Sequence, residues 1–385
     1  MPLTTDAAEE TTYEILVGKT NRKESGDVLA TFSWPNVYYA TKAVDSKLVL
    51  MGEGYRTLAA VRQLFKNYLN KLTDNANVTG DINAGQVKVK FDADKNMLNK
   101  AMGTNLRVLH WNMAAPYHSN ENAVYTNWAQ RIEIMADTIL AYNPDIFTTN
   151  EMYPLNYSDR QYQLLKKELS RYYYVIDTSP YDKNKPVDGF DALEGLSINE
   201  QIFIRKGRGI EVEVSGWRYF SNRDGAGGGS YQGLHWAVLK QGERKFIVSV
   251  AHYGDSRTST MYADEHYNAI RDAQAASGSD ATLPAIITGD MYTWINHSGG
   301  AYGSGYYKWQ DNGFFDAQTT AAMNANGNKL HGTFHDIGVK ETERASEDFV
   351  WYNSGLEALK FKVLVDTEIT NASDHYPVCA DLKFK

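Results

Sequence analysis

Cysteine is almost absent. Cys379 is the only one in 385 residues, which excludes an intramolecular disulfide and any cysteine zinc cluster. Long apolar runs are missing as well: no stretch approaches the roughly 20 residues that a membrane-crossing helix needs, so no integral membrane contact is expected. Basic charge is in short supply. Against 47 Asp and Glu stand 39 Lys and Arg, a net charge of -8, which argues against a protein that grips nucleic acid through bulk electrostatics. It leaves room for a brief contact with phosphate made through a metal. Internal repeats are absent, and the one low-complexity tract is Gly225-Ala226-Gly227-Gly228-Gly229.

What remains is ample core material. At 43% hydrophobic residues the chain is not a disordered polymer, and its length suits one large domain plus a small one. Residues 1–12 are polar and read as a frayed or tag-like terminus. They show no basic segment leading into an apolar one, so no secretory leader is expected among them. The abundance of Tyr, Trp and Gly (26, 8 and 30 residues) is that of a secreted bacterial protein, and an extracytoplasmic location and a monomeric state are expected.

Residues 13–91 read as a small α/β domain. Tyr13–Val17 and Lys47–Met51 have strand character. Between Tyr55 and Leu72 the apolar residues Leu58, Val61, Phe65, Tyr68, Leu69 and Leu72 recur at helical spacing. Gln86–Phe91 alternates like an edge strand. This module carries no phosphate loop and no histidine–carboxylate cluster. Residues 92–104 form a polar linker, and residues 105–385 a second, larger domain of short strands and helices. Its strands are predicted at Leu106–Trp111, Asp145–Asn150, Gln201–Arg205, His235–Leu239, Phe246–Ala251, Ala285–Thr288, Phe349–Trp351 and Val378–Leu382, and its helices at Trp128–Tyr142 and Tyr162–Leu169.

Several of these strands deliver a polar residue at or beside their ends: Asn112, Glu151, Glu200, His252, Asp290, Asp348, Asp374 and His375. The runs that carry them are Arg107–Asn112, Asn143-Pro144-Asp145-Ile146 to Glu151, Asn199-Glu200-Gln201-Ile202-Phe203, Val250-Ala251-His252, Thr288-Gly289-Asp290, Glu347-Asp348-Phe349-Val350 and Ser373-Asp374-His375-Tyr376-Pro377-Val378. In this order they resemble the motifs of the endonuclease/exonuclease/phosphatase superfamily, whose best-known type is the deoxyribonuclease-I-like nuclease. Each motif alone is common by chance; the ordered series is specific.

The resemblance implies a four-layer α/β/β/α sandwich and a metal-dependent hydrolase of phosphate esters, with phosphodiesters the expected class. Such hydrolysis places water in line behind phosphorus while a hard cation and hydrogen-bond donors neutralise the oxygens. Mg²⁺ is expected, or Mn²⁺ or Ca²⁺, held by Glu151 with Asn112 and Asp374 beside it. Asn112, His252, Tyr292 and His375 are the expected phosphate contacts. His252 is also the expected general acid, oriented by Glu200; His375 is expected to pair with Asp348, and Asp290 to position or deprotonate the attacking water.

One departure stands out. After Gly-Asp the family places a further residue and then asparagine; here the run is Gly289-Asp290-Met291-Tyr292. A phenol donates one hydrogen bond and does not copy an amide. The pattern predicts that Tyr292→Asn raises activity. The same departure favours an alternative, a catalytically weakened relative that binds a ligand or surface. Between Asp290 and Asp316 lie Trp294, Tyr302, Tyr306, Tyr307 and Trp309 among glycines, with Lys308 the only basic residue. Such a segment can stack bases or sugars, meet lipid headgroups, or pack on the domain edge. The expected substrate is therefore a phosphate ester drawn from nucleic acid, a phospholipid head group or a small phosphodiester.

Overall fold

A computed structural model describes residues 15–17, 22–30, 39–44, 47–52, 100–114, 128–152, 161–176, 200–221, 233–253, 259–295, 301–302, 304–326, 331–335, 346–365 and 367–385. The chain divides into two compact units, Met1–Asn99 and Lys100–Lys385. In the first, β1 (Ile15–Val17) is followed by α1 (Lys23–Ala30), β2 (Tyr39–Val44) and β3 (Lys47–Gly52). The sheet order is β1-β3-β2, with β1 parallel and β2 antiparallel to β3. The expected helix at 55–72, the strand at 86–91 and the terminus at 1–12 lie outside the described residues.

The second unit opens with β4 (Leu106–Asn112), α2 (Trp128–Tyr142), β5 (Ile146–Asn150), α3 (Gln161–Leu169), β6 (Tyr173–Val175) and β7 (Gln201–Arg205). Next come β8 (Ile210–Tyr219), β9 (Gly233–Gln241), β10 (Arg244–His252), α4 (Ser259–Ala276), β11 (Ala285–Ile295), β12 (Ala301–Tyr302) and α5 (Ser304–Asp311). It closes with β13 (Phe314–Asp316), α6 (Ala317–Thr320), β14 (Met323–Asn324), β15 (Ser346–Asn353), β16 (Leu356–Val363), α7 (Thr367–Ala372) and β17 (Val378–Phe384). Two mixed sheets result, in the orders β14-β16-β17-β4-β5-β7-β6 and β13-β15-β11-β10-β9-β8, with β12 added to β11. They pack face to face through β4, β5, β10, β11 and β15; α4 and α5 cover the second sheet, while on the first sheet α2 packs against α3 and α7, and α3 lies against β6. This is the four-layer α/β/β/α sandwich.

Sequence explains the layering. Every residue of β4 and β5 is buried, as strands covered on both faces must be. The polar residues this places inside need partners. Arg107 makes a bidentate pair with Asp381 on β17, Nε to Oδ1 at 2.7 Å and Nη2 to Oδ2 at 2.9 Å, and donates to the Tyr142 carbonyl at 3.0 Å. On the other sheet, α4 lays Tyr262, Ala263, Ala269, Ile270 and Ala273 against a core with Val238, Ile247 and Ile287. In the aromatic segment after β11, Tyr306 and Trp309 are buried scaffold, packing on Trp351 and Phe314 with ring centroids 4.9 and 5.2 Å apart. Tyr307 is exposed.

Register then aligns the chemistry. His252 on β10 is the ladder partner of Asp290 on β11, and Asp290 is the partner of Asp348 on β15. Cross-strand partners share a face, so these side chains emerge side by side; a one-residue slip would turn each of them away. Gly289 makes the approach possible. Its φ is +152°, and a Cβ there would lie 2.0 Å from the Ala251 carbonyl oxygen. Gly289→Ala should therefore cost on the order of 3 kcal/mol of stability and abolish correct placement of Asp290. Denaturant unfolding checks this, and an unchanged midpoint would contradict it.

Candidate active site

The site forms where the ends of β4 and β5 meet those of β10, β11 and β15. Asn112 closes β4, and its Nδ2 donates to Glu151 Oε1 at 3.1 Å and Asp290 Oδ2 at 2.9 Å. Its Oδ1 accepts from the Ala114 N–H at 3.0 Å. Asn112 thus turns its donors toward the cleft and holds two carboxylates together, while its oxygen accepts from one backbone N–H. Glu151 follows β5 in the left-handed region, φ 54°. Such strain in a non-glycine residue is usual at functional sites.

Two histidines face the same carboxylate. His252 Nε2 lies 3.6 Å from Asp290 Oδ2, and His375 Nε2 lies 3.7 Å from it. His375 Nδ1 is 2.7 Å from Asp348 Oδ2. On the opposite oxygen, Asp348 Oδ1 lies 3.3 Å from His110 Nε2, and His110 Nδ1 meets the Thr148 hydroxyl at 3.0 Å. Thr333 adds a brace, its hydroxyl oxygen accepting from the N–H of Glu347 and of Asp348 at 2.9 and 3.0 Å. Phe334 covers His375, ring centroids 5.2 Å apart.

The partner of His252 differs from expectation. The carboxylates facing its Nε2 are Asp290 and, at 3.9 Å, Glu151. Glu200 is fully buried just before β7, with its backbone against the His235 ring. The β5–β7 ladder pairs Gln201 with Thr149, which sets Glu200 beside the last residue of β5. Asp374 is half-buried next to His375, its carbonyl accepting from the His335 N–H at 2.7 Å. Tyr292 turns its ring toward His252, centroids 5.9 Å apart.

Arg131 escaped the sequence reading. From α2 its Nε donates to the Ala372 carbonyl at 2.6 Å, and its Nη2 to the Met113 and Ala114 carbonyls at 2.6 and 3.1 Å. It clamps the segment after Asn112 to the one before Asp374. Burial lowers it to about 10, opposed by Asp374 and Glu151, so it stays a fixed cation behind those carboxylates. The signal was a single arginine on the apolar side of a helix otherwise lined by Ile132, Met135 and Ile139. Glu347, beside Asp348 on β15, is pushed up to about 7 by burial despite His375 nearby.

Burial and charge push the two histidines apart. Desolvation holds His252 below its ordinary value, only partly opposed by Glu151. Burial also disfavours a charge on His375, but Asp348 and Asp290 outweigh it and hold His375 well above the ordinary range. Burial would raise Asp348, yet His375 and His110 hold it far below the usual carboxylate range. Burial carries Asp290 well above that range, against the pull of His375. Near neutral pH the cleft therefore contains a protonated His375 and a neutral His252.

Residues 109–375 match the Endonuclease/Exonuclease/phosphatase family. The chain belongs to this family. Similar solved structures include a family protein from Bacteroides thetaiotaomicron, 19% identical with a TM-score of 0.57, covering 73% of this chain and 98% of that one. A mannosyl-6-phosphatase of the same species is 18% identical at a TM-score of 0.53, covering 72% and 100%. The human Nocturnin catalytic domain with a bound sulfate anion is 18% identical at 0.53, covering 74% and 96%. At these identities the likeness shows the fold. Among curated proteins there is no match.

Family enzymes usually depend on a divalent metal, and the residues here fit one. Asp290, Asp348 and His375 each offer a ligand atom, all within 4.8 Å of one another. Asn112 Nδ2 bonds both Glu151 and Asp290, and Asp374 directly precedes His375, whose ring faces Asp290, so these carboxylates border one cleft. Converging buried carboxylates are costly without a cation, and hard oxygen donors suit Mg²⁺, Mn²⁺ or Ca²⁺. Asp348 is engaged on both oxygens by histidines, which leaves Glu151, Asp290 and Asp374 as the oxygen set more open to an ion.

In chelator-treated protein, NMR titration of the histidine side chains should find His375 protonated well above the ordinary histidine pKa and His252 below it. Asp348→Asn should return His375 toward the ordinary range. The sign for stability follows: a raised histidine pKa means that the His375–Asp348 pair stabilises the fold fully below the unfolded-state pKa, and loses that contribution as pH rises through the raised value. Equal titration of both rings would contradict this assignment.

Proposed function

We propose that the chain hydrolyses phosphate esters with a divalent cation, Mg²⁺ or a similar ion, and that phosphodiesters are its principal class. The observation that supports this best is the convergence of His252 and His375 on one Asp290 oxygen, at 3.6 and 3.7 Å, with Glu151 beside them. A bound cation would supply charge neutralisation at the phosphate and activation of water; Glu151, Asp290 and Asp374 would hold it.

The chain's own residues do the rest. His375, kept protonated by Asp348, donates to a phosphate oxygen and balances negative charge as the transition state forms. His252 is the second imidazole facing the same oxygen; neutral near pH 7, it can take a proton from the attacking water, while the proton a leaving oxygen needs would come from the protonated His375. Asp290 accepts the hydrogen bond of Asn112 and so keeps a fixed orientation toward the position from which water attacks. The deep placement of Asp290, 1% exposed, makes each of these interactions stronger than it would be in bulk solvent.

One structure similar in fold is a mannosyl-6-phosphatase, and the scarcity of basic residues favours a small ester over a long nucleic-acid track. The test is hydrolysis of bis(4-nitrophenyl) phosphate and 4-nitrophenyl phosphate with Mg²⁺, Mn²⁺ or Ca²⁺, with and without chelator. Turnover should require the ion, and His252→Ala should lose roughly 10²–10⁴ in kcat. Absence of any metal-dependent turnover, or full activity in the His252→Ala protein, would sink the reading.

A further inference from the structure

We propose that His110 is a positioning residue that orients His375 through Asp348, an inference that rests on the phosphate-ester reading above. Topology gives the first reason. His110 and Asn112 are alternate residues of β4 and so share its inward face. Across the interface, Asp348 on β15 and Asp290 on β11 are ladder partners. Each β4 side chain addresses one of them: Asn112 Nδ2 bonds Asp290 Oδ2 at 2.9 Å, and His110 Nε2 lies 3.3 Å from Asp348 Oδ1. His110 is fully buried between the sheets. What it does for the reaction must therefore pass through its neighbour.

Hydrogen-bond accounting gives the second reason. Among the described residues, His110 Nε2 and Asp348 Oδ1 are buried atoms with no other hydrogen-bond partner, and buried polar atoms are normally paired. A carboxylate oxygen only accepts, so Nε2 carries the proton. Nδ1 of the neutral ring is then an acceptor, and the Thr148 hydroxyl at 3.0 Å is its donor. Both ring nitrogens are thus used, and the ring is fixed. With Oδ1 held by His110 and the backbone N–H groups of Glu347 and Asp348 held by Thr333, the carboxylate keeps Oδ2 on His375 Nδ1, 2.7 Å away.

The third reason is what needs orienting. An imidazole ring can flip by half a turn at little steric cost, and only one of the two orientations of His375 turns Nε2 toward Asp290, at 3.7 Å. The bond from Nδ1 to Asp348 selects it. The main chain of the same residue is held from β4 as well, because Trp111 Nε1 donates to the His375 carbonyl at 2.8 Å. Two successive residues of one strand therefore fix His375, one directly and one through Asp348. An aliphatic residue at position 110 would fill the core without supplying the second hold.

The experiment compares wild type with three variants. In His110→Gln the amide nitrogen takes the place of Nε2 and can donate to Asp348; in His110→Asn the side chain is too short to do so, and in His110→Leu the donor is gone. One readout is kcat and KM on the two nitrophenyl esters with Mg²⁺. The other, in chelator-treated protein, is the NMR resonance of the His375 Nδ1–H that faces Asp348. In His110→Asn and His110→Leu, kcat should fall about 10- to 100-fold with KM little changed, and the N–H resonance should be lost to exchange with water. His110→Gln should recover most of the rate and keep the resonance. Full activity with an intact resonance in His110→Leu overturns the proposal. A loss shared equally by all three variants marks a merely structural role and overturns it too. Should His110→Leu fail to fold, His110→Gln against His110→Asn decides, and equal values overturn the proposal. If wild type hydrolyses neither ester, the proposed reaction fails and the resonance alone decides: its loss in His110→Asn but not in His110→Gln upholds the role of His110, and its survival in both overturns it.

Discussion

The active-site geometry depends on how one apolar sheet is pinned to the other. Hydrophobic packing is non-directional and would tolerate a small slide between the sheets. The polar contacts crossing the interface do not. Asp290 N–H on one sheet donates to Asn150 Oδ1 on the other at 2.8 Å, and Thr148 and Thr288 hydroxyls meet at 2.9 Å. Asn112 reaches across to Asp290, and His110 across to Asp348. Each group is buried, so an offset of even one ångström would leave donors unsatisfied at about 1–3 kcal/mol apiece. The same contacts that fix the sheets also aim the catalytic candidates, so position and chemistry share one set of bonds.

Strain collects at the same place. Ala114, Glu151 and Tyr292 all take left-handed backbone conformations, each just beyond or within a strand that ends in the cleft. A strand that continued in its pleat would send these residues past the site. The left-handed turn at Glu151 stops β5 and swings its carboxylate beside Asn112; at Ala114 the turn lets the N–H donate to the Asn112 side-chain Oδ1. Arg131 stabilises the result by taking up the carbonyls that such turns expose. The cost is spread over many tertiary contacts, which is how non-glycine strain persists.

Much of this was legible from residues alone, and the failures have physical causes. Strands such as Gln201–Arg205 and the helix Trp128–Tyr142 coincide with their predicted spans, because their apolar periodicity is strong. Three elements left weak signals. β8 is half polar and exposed along much of its length; α4 buries chiefly alanines, tyrosine and a histidine; β16 carries Lys360 and Lys362 inward. In the site, order along the chain pointed to the strand-end residues, since chemistry at a rim needs a polar residue where apolar strands stop. It could not reveal His110, Thr333 or Arg131, whose work is to hold other side chains or backbone. Their traces were a histidine inside an apolar strand and an arginine on an apolar helical face, patterns that also fit a satisfied core residue. The Glu200–His252 pairing went astray for a related reason: motif order says which residues come near one another, while rotamer and register decide which oxygen faces which ring.

Charge balance explains why the site takes this form in a chain of net charge -8. Glu151, Asp290, Glu347, Asp348 and Asp374 surround one cleft, against a protonated His375 and the fixed Arg131. Asp348 is held by its two histidines, and Arg131 is spent largely on the Met113, Ala114 and Ala372 carbonyls. Burial first, and the neighbouring Asp348 carboxylate after it, raise the proton affinities of Asp290 and Glu347. A divalent cation relieves the excess of carboxylates where a second arginine would not: it draws several oxygens at once and retains open positions for a ligand. A lysine or arginine in its place would neutralise the carboxylates but occupy the space the phosphate needs.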